Sequence, residues 1–381
     1  MFINTITKYS PQLLKTTDYF ACRTLNLLNK AAPSSIDCAF INVITSVFDC
    51  FKNVNVQKLL LKVVLGIMMK VGPVPQWIPG ISSLLHSDDI SILILSGACM
   101  IIFISSTPES EIVSLFDVNY VRKALQIPEN SEENDQKQME RKLKEIVLKL
   151  CGMVGKKREG AIILESSGLI YDIVNSESEL GLEVLVTISK VLPCSSSLRD
   201  AVAIILKNEK LKNSKYLIPL LSYISINPEG AKLSVTALDH IIDILQTLEY
   251  SSPEQNTDKT DQINNTEKIE KIDNIVIQDN IDKEAILSLV LRILGCKEAC
   301  KAIVDKDQVR KLAKVLYRLE GKEVLQRLKG LEKLAEIKEM KEIVKEVVDI
   351  PKITEEIKTL GINRAKRAAL IRLLSRLNYV D

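Results

Sequence analysis

Histidine is nearly missing from this 381-residue chain, which has two, His86 and His240. They form no His-x-x-x-His pair, and no Cys-x-x-Cys pair stands near them, so neither a helix-borne zinc site nor a zinc ribbon is written here. Each histidine reads as a surface or edge residue. A Walker-type loop is also lacking: "GMVGKKREG" carries glycines and bases but follows no strand. The sequence therefore reads as a non-enzyme, with no catalytic residue, no metal ligand and no cofactor. Aromatic residues make up 4%, tryptophan occurs once (Trp77) and glycine numbers 14. That scarcity, beside abundant Leu, Ile and Val, favours helix-on-helix packing over a β-sandwich.

Charge of one sign is absent as well. Lys and Arg number 51 against 49 Asp and Glu, a net of +2, so nothing global draws the chain to nucleic acid. Its distribution is uneven: residues 1–120 hold 8 basic and 8 acidic side chains, and the other 261 residues hold 84. The eight cysteines are scattered through apolar stretches, and "MFINTITKYSPQLL" has no apolar h-region. Reduced thiols and a cytoplasmic location are the expectation.

What is present begins with a long uncharged run inside "DISILILSGACMIIFISSTPESE", Asp89–Glu111. Fifteen residues, Ile90–Ile104, span roughly 22 Å as a helix, short of the ~30 Å hydrocarbon core. Gly97 and Cys99 sit in its middle, and no basic residues flank it. The run predicts a buried core helix and no membrane span.

The end of this run recurs in form. "KLCGMVGKKREGAIILESSGLIYDIV", "LLSYISINPEGAKLSVTALDHIIDIL" and "VLRILGCKEACKAIVDKDQVRKLAKVL" each read as an apolar helix, a polar corner, a short helix and a further apolar helix. The corner positions Glu109, Glu159, Ser197, Glu229, Glu298 and Glu339 are spaced 50, 38, 32, 69 and 41 apart. Apart from the interval with an insert, these cluster near the ~40–47 residues of armadillo and HEAT units. One such unit cannot bury its own apolar faces, so neighbours must stack. The fold expected is all-α, an armadillo/HEAT-type α-solenoid.

Composition divides the chain into apolar helical repeats over 1–125, armadillo-like repeats over 126–250, a polar insert over 251–280 and C-terminal repeats over 281–381. The insert, rich in Asn, Asp, Lys, Gln and Thr, is expected to be the preferred protease site. Cys296 and Cys300 share a helix face at i and i+4, and with no further Cys or His nearby they read as buried small hydrophobes. In "NRAKRAALIRLLSRLNYVD" the stripe Leu370, Leu373, Leu374 and Leu377 leaves Arg364, Arg367, Arg372 and Arg376 off it. Such a basic amphipathic helix can bind acidic partners or membranes; as a solenoid cap it packs its leucines inward.

In layout the chain resembles armadillo proteins, whose third helix lines a groove and in importin- and catenin-type members carries Asn six residues before the corner. Here those positions read Phe103, Met153, Val191, Tyr223, Arg292 and Lys333, so no Asn ladder for a linear peptide exists. From about Gly181 to Asp381 the pattern is similar to the UCS family of myosin chaperones. The passages that carry it are "LLSYISINPEGAKLSVTALDHIIDIL", the charged spacer after it, "LGCKEACKAIVDKDQVRKLAKVL" and the closing "RAALIRLLSRLNYVD". The resemblance implies a myosin motor domain as client, a heat-shock chaperone as a second partner, and holding of exposed apolar surface without ATP hydrolysis. Phe103, Tyr223, Arg292 and Lys333 are the groove candidates, each also readable as an ordinary surface side chain. Charge reversal of Arg292 and Lys333 together is expected to weaken client capture and leave melting unchanged. The other reading is a generic scaffold or assembly factor in a larger protein complex; association with myosin separates the two.

Overall fold

The computed structural model describes residues 18–31, 36–127, 134–250, 283–303, 305–318, 324–359 and 363–379. Among them every regular element is helical, and no strand occurs. The all-α expectation holds. The expected insert, 251–280, lies outside the described residues.

The chain divides into two compact units, Met1–Leu192 and Pro193–Asp381. Unit 1 comprises α1 (Asp18–Ala31), α2 (Cys38–Cys50), α3 (Val54–Val71), α4 (Ile78–Leu84), α5 (Ile90–Ser106), α6 (Ile112–Leu115), α7 (Val118–Leu125), α8 (Asn134–Gly155), α9 (Arg158–Ser166), α10 (Leu169–Asn175) and α11 (Glu179–Val191). Unit 2 comprises α12 (Ser196–Ile205), α13 (Glu209–Lys212), α14 (Leu217–Ile224), α15 (Pro228–Ser234), α16 (Leu238–Tyr250), α17 (Lys283–Gly295), α18 (Lys297–Ala302), α19 (Lys306–Arg318), α20 (Val324–Glu336), α21 (Lys338–Val347), α22 (Ile350–Lys358) and α23 (Arg364–Arg376).

Helix starts follow local chemistry. Asp89 accepts from the backbone N–H of Ser91 (2.9 Å) and Ile92 (3.2 Å), opening α5. Asn227 accepts from Glu229 N–H (2.9 Å), and Pro228 supplies the first residue of α15, where a missing N–H costs nothing. Asp117, Ser178, Ser195 and Asp349 cap α7, α11, α12 and α22 in the same way.

Packing within each unit joins like to like. In unit 1, α1 packs on α3, α3 on α5, α5 on α8 and α8 on α11, while α7 meets α10. In unit 2, α14 packs on α17, α17 on α20 and α20 on α23, while α15 meets α18 and α16 meets α19. The uncharged run is α5, with Ile92, Leu93, Ser96, Gly97, Cys99, Met100, Phe103 and Ile104 buried. No described helix is long and apolar enough to cross a membrane.

Gly97 in the middle of that run now has a reason. A Cβ there would lie 2.2 Å from the Tyr120 hydroxyl oxygen and 2.9 Å from Ile146 Cγ2. Tyr120, itself buried, donates its O–H to the Leu93 carbonyl at 2.9 Å, so α7 and α8 close on α5 only where a side chain is missing.

Candidate functional site

The copies of the repeat share environments more closely than residues. Along Cys151–Gly160 the order is buried, two half-buried, two buried, exposed, half-buried, two exposed, buried. Leu221–Gly230, Val290–Ala299 and Leu331–Met340 run through the same order without a difference. In each, the helix that ends there belongs to the packed row of its own unit, α8 in unit 1 and α14, α17 and α20 in unit 2, and the predicted corner glutamate is the second residue of the next helix. In two of the four copies the corner is built by close backbone approach: a Cβ on Gly160 would lie 2.2 Å from the Val154 carbonyl oxygen, and one on Gly230 2.0 Å from that of Ile224, whereas the other two carry Ala299 and Met340 at that position.

This register corrects one groove candidate. Phe103 is 2% exposed and belongs to the core, so it cannot line an open face. The corner after α5 is one residue longer than the others: from Met100 the shared order runs with an extra exposed serine, Ser105 or Ser106, as far as Glu109, and departs from it at the exposed Ser110. Counting six back from Glu109 therefore lands on a buried position. The equivalent of Met153 is Ile102, half-buried on α5.

Met153 and Val191 in unit 1, and Tyr223, Arg292 and Lys333 in unit 2, are all half-buried. In unit 2 the three stand at one register on the successively packed α14, α17 and α20, but the cations are engaged within the unit. Arg292 donates through Nη1 to the Ser222 carbonyl and to Ser222 Oγ (3.2 Å), one copy earlier, near the C-terminal end of α14. A guanidinium there meets carbonyls that the helix leaves without partners, and complements the helix dipole. Lys333 pairs with Glu336 at 2.9 Å, and Glu336 also takes Arg376 at 3.3 Å. Arg372 reaches Glu332 at 3.3 Å. Sequence reasoning missed these partners, although a signal existed: Arg372 and Arg376 stand 40 residues from their acids, one repeat away.

The same device recurs in unit 1. Lys157 donates to the Thr107 carbonyl at the end of α5, and Arg122 to the Ser167 carbonyl at 2.5 Å at the end of α9. Lys157 and Arg292 bind adjacent copies through helix C-termini. Arg292 is a structural tie, so the expectation that its reversal leaves melting unchanged is withdrawn.

Cys300 turns its thiol to the Leu294 carbonyl (3.3 Å), and Cys296 to Glu298 Oε2 (3.3 Å) and the Pro228 carbonyl (3.9 Å). Burial, then the neighbouring Cys296, raises the Cys300 pKa. In unit 1 burial pushes the Cys99 and Cys151 thiols up to about 12, the behaviour of small hydrophobes. A cleft of about 780 Å³ in unit 2 holds Glu356, which is taken by Lys366. The leucine stripe of α23 is buried, with Leu370, Leu373, Leu374 and Leu377 at 2% or less.

No protein-family model matches the chain, and no curated protein does. Among solved structures, it is similar to a crystal structure of an engineered protein from the Northeast Structural Genomics Consortium. That likeness covers 100% of this chain and 89% of the other, with a TM-score of 0.59 and 14% identity. At this identity it concerns the helical fold alone.

Proposed function

We propose that the chain is a non-enzymatic protein-binding scaffold of armadillo/HEAT-type α-solenoid repeats, whose stacked helices present an open face to a protein client. The observation that carries this reading is the ten-residue order of environments repeated in four copies. Repeats of this kind bury a shared core against their neighbours and leave one side of each helix row open, and extended open faces of that sort are used for binding. In this reading α23 caps the array, its leucines inward and its arginines tied to α20. The location proposed is cytoplasmic.

The resemblance of the second half to the UCS family narrows the client to a myosin motor domain, with a heat-shock chaperone as co-partner. What supports it is the helix–corner–helix pattern from Gly181 onward. The test is capture of a purified motor domain and suppression of its heat-induced aggregation at equimolar chain. Retention of the motor on immobilised chain with reduced aggregation upholds the narrower reading. Absence of both defeats it and leaves the scaffold reading, which a cross-linking survey of native complexes then tests.

A further inference from the structure

The row of unit 1 is unlike that of unit 2. Helix α5 has α3 on one side, α8 on the other and α4 and α6 beneath, and it carries no charged residue. Its remaining side is a stripe at helical spacing, Ile94, Leu95, Ala98, Ile101 and Ile102, each half-buried. The neighbours continue it. On α3, Leu65 is half-buried and Met69 is 74% exposed, and on α8 Met153 is half-buried at the register of Ile102.

Two glycines keep this floor low. A Cβ on Gly66 of α3 would meet nothing within 4 Å, and one on Gly152 of α8 would meet only Val184, at 3.4 Å. Neither glycine is demanded by packing or by backbone angle. In mid-helix each costs about 1 kcal/mol relative to alanine. The open space above them is thus room that the fold itself does not need.

The edges are basic. Helix α3 has three lysines and no acid, and Lys62 is exposed one turn before Leu65. Lys142 on α8 and Lys156 just past it are exposed on the far edge. None of these three has an ion-pair partner among the described residues. Of the acids beside α3 and α8, Asp89 is matched by Lys58 (2.8 Å) and Glu145 by Lys149 (2.5 Å).

We propose that this α3–α5–α8 face binds an amphipathic helix of a partner protein, its apolar side on the α5 stripe and its flanks acidic. An uncharged floor rewards burial of aliphatic side chains, methionines adapt to differing shapes, and lysine edges select against basic flanks. The proposal rests on the protein-binding reading and is independent of myosin as client.

The experiment uses the full chain and two fluorescein-labelled 18-residue helical peptides. Both carry leucine at i, i+3, i+4 and i+7; one has glutamate flanks and the other lysine flanks, read by anisotropy. The glutamate peptide is expected to saturate below about 100 µM, and the lysine peptide to bind at least ~10-fold more weakly. Gly66→Leu places its Cβ in open space on this floor and is expected to weaken the glutamate peptide ~10-fold or more with helicity and melting not lowered. Lys62→Glu with Lys142→Glu is expected to invert the preference between peptides. Equal binding of both peptides, no saturation of either, or indifference to Gly66→Leu overturns the proposal. So does a Gly66-dependent dimer in light scattering, which makes a second copy the occupant, or Gly66-dependent sedimentation with phosphatidylserine vesicles. Failure of motor-domain capture alone leaves this result untouched and bears only on the client.

Discussion

The two units repeat one arrangement of helices with opposite chemistry on the open side. Met1–Leu192 holds 39 charged residues in 192, and Pro193–Asp381 holds 61 in 189. In unit 1 the row α3, α5, α8 joins along its length by apolar contact and missing side chains, with Gly97 admitting Tyr120, and is tied by polar groups at helix ends, through Lys58–Asp89 and Lys157–Thr107. In unit 2 the row α14, α17, α20, α23 is cross-tied on its surface by Arg292–Ser222, Arg372–Glu332 and Arg376–Glu336. The difference teaches that the repeat specifies which positions are buried and leaves open how neighbouring copies are held. On the proposed reading, an apolar row keeps its open side available to a client. A cross-tied row has already occupied its polar groups.

The largest effects should come from what both units share, the carbonyl approach at the corner. Gly160→Ala and Gly230→Ala each place a Cβ near 2 Å from a backbone oxygen, which has no rotamer by which to yield. Each is expected to cost about 2–3 kcal/mol by denaturant titration. Gly97→Ala meets a side-chain hydroxyl instead, so Tyr120→Phe in the same chain should restore a substantial part of its loss. If Gly160→Ala and Gly230→Ala differ widely in cost, the two units do not share a corner.

The next test concerns the ties. Arg292→Met removes a charged donor from a helix end in unit 2 and is expected to cost about 1–2 kcal/mol, its half-burial placing it below a fully buried case. Hydrogen exchange should speed up in α14 and α17. Glu336→Gln loosens both Lys333 and Arg376, yet exposed pairs contribute ~1 kcal/mol or less, and 1 M salt should erase the difference. A salt effect as large for Gly97→Ala would contradict the contrast between the rows.

Much of this was legible in the sequence. The uncharged stretch Ile90–Ile104, the corner glutamates and the leucine stripe of α23 follow from periodicity and helix-stop chemistry, and each stands where those rules place it. Phe103 was misplaced because counting from a corner assumes a constant corner length, and one added serine shifts the count onto the core. Arg292 reads as open surface because a sequence shows a cation without its partner, which here lies one copy away in space, while the partner of Lys333 stands three residues on in the same helix. The α5 stripe was hidden for a different reason. Its residues are as apolar as the core beside them, and only neighbour packing separates half-buried from buried.

The smallest effect is a pH response that His240 should place in unit 2. His86 in unit 1 is 60% exposed and stands 3.1 Å from Asp117. His240 in unit 2 is half-buried at the start of α16, where burial first, and Lys212 second, lower its pKa. A histidine whose folded pKa lies below its unfolded value takes up its proton more readily when the chain unfolds. Its contribution is therefore present above the unfolded pKa, near 6.5, and is lost as pH falls through the depressed folded value. Between pH 7 and 5 unit 2 should lose protection in α16, the helix that carries His240, and His240→Gln should flatten that loss. The comparison uses the difference between wild type and variant at each pH, because carboxylates throughout the chain begin to titrate toward the lower end of the range. Loss that persists unchanged in His240→Gln assigns the acid response elsewhere.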